Sequence, residues 1–115
     1  MKTLDDIQLP DEVRALLDRL VEVTKELCDP EAIILFGSWA EGRATKDSDL
    51  DVLVVADTAR PPHLSGRIRW GLIDSAQPMD ILVYSRDDWR DRREWAGMVA
   101  RDAYLRGVLL YGTAA

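Results

Sequence analysis

The stretch Leu50-Asp51-Val52-Leu53-Val54-Val55 constrains the fold more than any other part of this chain. Beyond its one acid it is β-branched and apolar on both faces, the pattern of a strand covered from both sides and central in its sheet. Ala32-Ile33-Ile34-Leu35-Phe36 is another apolar run of strand length, and Met79-Asp80-Ile81-Leu82-Val83-Tyr84, set off by Pro78, is a third. A small mixed β-sheet flanked by helices, of the α/β (α+β) class, is what these runs and their surroundings describe.

The helices follow from spacing. Pro10-Asp11-Glu12 opens one, and Val13, Leu16, Leu17, Leu20, Val23, Thr24 and Leu27 recur along it at helical intervals until Asp29-Pro30 stops it. Trp39 to Arg43 reads as a short helix, and Leu64, Ile68 and Leu72 lie one turn apart on another, after the loop from Asp57 to Pro62. Ser85 with Asp88 resembles a capping box for one long charged helix with Trp95, Met98, Val99 and Ala103 on its apolar side. Gly107 ends it, and Val108 to Tyr111 is a short last strand, able to pair internally or with another subunit in a homo- or hetero-oligomer. At 115 residues the expectation is one domain, 1–115, without room for a separate substrate domain.

Charge narrows the partners. A net charge of −6 argues against broad attraction to a phosphate backbone, so no direct nucleic-acid partner is expected. Cys28 is the only cysteine and His63 the only histidine, which removes intrachain disulfides and the usual Cys/His zinc sites. Acids and a proline near the start replace any secretory apolar stretch, and no run has membrane-spanning length; a cytoplasmic protein with no membrane partner is expected.

The chemistry concentrates in FGSWAEGRATKDSDLDV, residues 36–52. Gly37 supplies the freedom for a tight strand-to-helix turn whose first amides suit a phosphate, with the Ser38 hydroxyl beside them. Ser38-Trp39-Ala40-Glu41 fits equally a capping box that only satisfies helix amides. Asp49 and Asp51 stand at i and i+2 of a strand, on one face and roughly 6.6 Å apart along it. Two such charges repel by about 2.5 kcal/mol at an effective dielectric near 20. A divalent cation reverses that sign, and hard oxygen ligands suit Mg²⁺; a solvated acidic turn, in company with Asp47, is the plainer alternative.

Asp80 opens its strand as well. With the strands at 32–36 and 50–55 antiparallel, and that at 79–84 parallel to the second through a helical crossover, Asp80 arrives at the same end. Three carboxylates then face one turn, a cluster able to support two metals roughly 3.5–4 Å apart in an in-line displacement.

Gly37-Ser38, ten residues, then Asp49-Leu50-Asp51 and a later Asp80 opening a strand resembles the DNA polymerase β-type nucleotidyltransferase superfamily. Within it, ILFGSWAEGRATKDSDLDVLVV most resembles the minimal nucleotidyltransferases (MNT), antitoxin partners of HEPN-domain ribonucleases. The close likeness spans Ile33 to Val55 and extends to Asp80. It implies that Gly37 and Ser38 hold a triphosphate, that Asp49 and Asp51 bind a catalytic Mg²⁺ pair, and that Asp80 completes one metal site beside the attacking hydroxyl. The reaction implied is transfer of AMP from ATP to a hydroxyl of a HEPN-domain toxin, AMPylation by an antitoxin of the type VII kind. Arg43 and Lys46 lie between the matched positions, as phosphate contacts or as solvated loop charges.

Two other functions compete: an antitoxin that only masks its toxin, and a small-molecule nucleotidyltransferase of the antibiotic-modifying sort, for which the chain is short. His63 reads as a surface residue, the tryptophans as core or interface, and the alternating charges from Arg86 to Glu94 as a solvated helix face.

Overall fold

Helix α1 (Asp11–Leu27) buries Val13, Leu16, Leu17, Leu20 and Thr24, the stripe that the sequence spacing marks, with Asp11 and Glu12 at its positive end. In the computed structural model, which describes residues 1–115, this stripe lies against a five-stranded sheet. The strands are β1 (Lys2–Thr3), β2 (Ala32–Phe36), β3 (Leu50–Val55), β4 (Met79–Tyr84) and β5 (Val108–Gly112), in the order β1-β5-β2-β3-β4. β2 runs antiparallel to both β3 and β5, while β3 and β4 are parallel and joined through α3 (Pro61–Trp70).

β3 is central, and its alternation divides the core. Val52 and Val54 join Ile33 and Leu35 on the side covered by α1 and α3. Leu53 and Val55 join Ile34 and Phe36 on the side covered by α4 (Arg86–Arg92) and α5 (Val99–Arg106). Asp51, two residues before Leu53, belongs by the same alternation to the α5 side.

Several expectations change. The short helix after β2, α2 (Gly37–Ala40), begins two residues earlier than the sequence suggests, directly on the last residue of the strand. The long charged helix is two helices: α4 ends at Arg92, the chain turns through Gly97 at a left-handed φ of +82, and Met98 is extended before α5 begins. The break lets Tyr104 of α5 meet Trp89 of α4 edge to face at 5.8 Å. In one straight helix those residues would stand about 22 Å apart.

The charge run is likewise not a free surface. Trp89 within it is fully buried, Arg90 pairs with Glu31 at 3.0 Å, and Arg93 lies over the Trp89 and Tyr104 rings while donating to the Ala114 carbonyl at 2.7 Å. β5 pairs internally, with Leu110 the extra residue of a bulge against β2, and takes β1 as a parallel neighbour.

Trp89 anchors the smaller of the two core clusters, although its indole N–H has no partner. Trp89→Phe removes ring volume and that N–H together, so the two effects partly offset. A net loss of about 1–2 kcal/mol is expected from the shift in the urea midpoint.

Candidate active site

The register assembles the site. Phe36 of β2 pairs with Asp51 of β3, and Asp51 pairs with Asp80 of β4, so one row crosses three strands. Because β2 ends where β3 and β4 begin, the Gly37-Ser38 turn, Asp51 and Asp80 meet at one end of the sheet. Asp49 immediately precedes β3 and stays exposed.

Gly37 is required there for two reasons. Its φ of +73 is left-handed, and a methyl on its Cα would overlap Asp51 Oδ2 and lie 3.2 Å from the carboxyl carbon. The carboxylate of Asp51 therefore packs on the bare backbone of the turn. Ser38 is a half-buried residue of the first turn of α2, whose N-cap is Phe36 without any side-chain cap, so the Ser-x-x-Glu capping box does not form. The hydroxyl is left for another use.

The acids sense one another. Partial burial, then the charges of Asp80 and Asp49, push the Asp51 carboxyl above its ordinary value of 3.8. The folded protein thus holds a proton on Asp51 more tightly than the unfolded chain does. Its contribution to stability accordingly falls as pH rises from 3.8 through the raised folded value. In the presence of a chelator, the melting temperature of Asp51→Asn should gain on that of the native protein as pH rises through this window. A constant gap would contradict the repulsion.

The other predicted residues lie further out. Asp80 is half-exposed and accepts from Arg69 Nη2 at 3.3 Å, and Arg43 pairs with Glu41 at 3.1 Å. Lys46 lines a cleft of about 660 Å³ with Val13, Leu16, Trp39, Gln77 and Pro78, and none of the three acids borders it. Volume and chemistry do not coincide here, and the converging carboxylates locate the site. Trp39 is fixed by its indole N–H donating to the Ser48 carbonyl at 3.1 Å, which Gln77 Nε2 also reaches at 2.8 Å. That carbonyl precedes Asp49, so Trp39 and Gln77 hold the entry to β3, a role the sequence does not announce.

A second cleft, about 300 Å³, is bounded by Phe36, Met98, Val99, Arg101, Asp102 and Arg106. Phe36, the register partner of Asp51, forms part of its wall.

As donors, three carboxylates at the starts of two neighbouring strands suit a hard divalent cation. As they stand, no three carboxylate, histidine or cysteine side chains are drawn together closely enough to hold one. Asp51 feels the charge of Asp80 more than that of Asp49, and Asp80 is itself paired with Arg69.

This arrangement of turn, paired acids and mixed sheet defines a nucleotide-transferring domain, and sequence comparison agrees. The family model for the nucleotidyltransferase domain matches residues 17–97, and the chain belongs to that family. MJ1379 of Methanocaldococcus jannaschii, a candidate protein adenylyltransferase, is 34% identical over 65 residues. Those residues are 56% of this chain and 59% of that relative's length.

Solved structures share the fold at low identity. A toxin-antitoxin crystal structure with AMP-PNP superposes at a TM-score of 0.59, with 20% identity over 84% of this chain and 73% of its own. A complex of tri-AMPylated Shewanella oneidensis HEPN toxin with MNT antitoxin gives 0.56, with 18% identity over 87% and 72%. A Sulfolobus solfataricus protein described as a nucleotidyltransferase gives 0.58, with 20% identity over 87% and 82%.

Proposed function

We propose that this nucleotidyltransferase moves AMP from ATP to a hydroxyl on a HEPN-domain toxin and thereby neutralises it. The observation that carries the reading is the row from the Gly37 turn through Asp51 to Asp80, with Asp49 two residues before Asp51. That row sets the open backbone of the turn against the Asp51 carboxylate, which supports phosphate and metal binding side by side.

Gly37 and Ser38 hold the triphosphate, the glycine by admitting it close to the main chain and the serine through its unused hydroxyl. Arg43 and Lys46, exposed on the loop between turn and acids, are the nearby cations of this segment. Asp49, Asp51 and Asp80 would hold Mg²⁺, two ions in the full arrangement. Such ions supply charge neutralisation at the α-phosphorus and a more acidic attacking hydroxyl. The new bond joins the acceptor oxygen to the α-phosphorus, the bond to the β-phosphate bridging oxygen breaks, and pyrophosphate leaves. The hydroxyl proton passes to solvent. The Phe36 cleft beside this row, with Arg101 and Arg106 at its rim, offers the acceptor segment a place on the same side of the sheet.

The names of the similar proteins support the choice of partner, and no helix of the chain is long and apolar enough to cross a membrane. The test is rescue of growth. A HEPN toxin encoded beside this protein is expressed with the native chain or with the Asp49→Asn, Asp51→Asn variant. Transfer predicts that only the native chain restores growth although both accumulate and both bind the toxin. Equal rescue by the variant would replace this reading with masking alone.

A further inference from the structure

We infer that Arg69 is the internal counter-ion of the third acid: it keeps Asp80 occupied in the metal-free protein and so sets the metal concentration at which the site fills. The inference rests on Asp49, Asp51 and Asp80 being the metal-binding set.

The contact is built by the fold. Helix α3 lies along β4, and Ser65 Oγ donates to the Ile81 carbonyl at 2.7 Å, fixing one turn of the helix to the strand. Arg69 follows Ser65 by four residues, so it projects from the same helix face one turn on. It reaches the neighbouring residue of the strand, donating from Nη2 to Asp80 Oδ1 at 3.3 Å. Buried Leu64 and Ile68 hold the helix against the core on either side of these contacts. Two successive residues of β4 are thus gripped by two successive turns of α3.

The strength of the contact suits an exchangeable partner. Both side chains are about half exposed, 48% for Arg69 and 54% for Asp80, and exposed ion pairs are weak and screened. A divalent ion among these acids has twice the charge of the guanidinium with which it competes. In the absence of the ion, Arg69 offsets one of the two negative charges that act on Asp51. Asp80 must therefore choose between two cations, and removing Arg69 should favour the metal by freeing the ligand.

The experiment is a Mn²⁺ titration of the full chain without nucleotide, followed by electron paramagnetic resonance of the free ion. Arg69→Ala is expected to tighten acid-dependent Mn²⁺ binding by about two- to fivefold, the scale of an exposed pair, while Arg69→Lys stays near the native value. In an Asp80→Asn background the same Arg69→Ala change should have little effect, which separates the pair from a general field. Unchanged or weaker binding in Arg69→Ala would overturn the inference, as would an equal tightening in the Asp80→Asn background. If the native chain and the Asp49→Asn, Asp51→Asn variant take up Mn²⁺ alike, the metal site itself fails and the inference with it. That result differs from failure of the Arg69 inference alone, in which the native chain still binds through its acids.

Discussion

Asp51→Asn is expected to lower nucleotidyl transfer by about a thousandfold or more and yet to give a protein that melts higher than the native one in chelator at neutral pH. The two effects have one origin. Asp51 packs on the Gly37 backbone, partly buried, with the charges of Asp49 and Asp80 nearby, so its ionised form is unfavourable until a cation arrives. Asparagine keeps the shape and removes the charge, relieving the folded state while taking away the carboxylate that the proposed metal site needs. A thousandfold loss corresponds to about 4 kcal/mol, within the several kcal/mol that charge stabilisation at a phosphoryl centre supplies. Transfer rates and chelator melts on the same preparation check both halves. A variant that is inactive and also less stable would point to a structural carboxylate instead.

Gly37→Ala should be nearly as damaging, by a different route. A left-handed φ of +73 costs an L-residue about 1–2 kcal/mol, and the added methyl displaces the Asp51 carboxylate besides. Transfer should fall more than a hundredfold, since an ångström-scale misplacement of a reacting group alone has that effect. Gly42→Ala is the control: φ there is +76, but nothing lies within 4 Å of the added methyl. It should lose comparable stability and keep its activity. Equal activities in the two variants would show that the close approach of Asp51 to the turn is not what Gly37 is for.

The central architecture was legible because it is written in continuous apolar runs. Strand alternation places Asp49 and Asp51 on one face, and the β3–α3–β4 order brings Asp80 to their end of the sheet. What the residues did not reveal depends on tertiary partners. Lys2–Thr3 has no apolar pattern and becomes a strand only by pairing with β5. The end of α4 at Arg92 is invisible in a charge run whose arginines are spent on Glu31, Trp89 and the Ala114 carbonyl. Ser38 matched a capping box in sequence, but helix α2 starts at Gly37 and leaves no cap for that hydroxyl to make. Asp80 is legible as a carboxylate at the right end; that Arg69 holds it depends on the packing of α3 on β4.

The most direct test of the whole account is transfer of label from ATP tagged on its α-phosphate, with Mg²⁺, to a purified neighbouring HEPN-domain protein. The Asp49→Asn, Asp51→Asn variant runs alongside. The account predicts label covalently on the partner with the native chain and none with the variant. Partner bound and silenced by both forms, with no label on either, would contradict it.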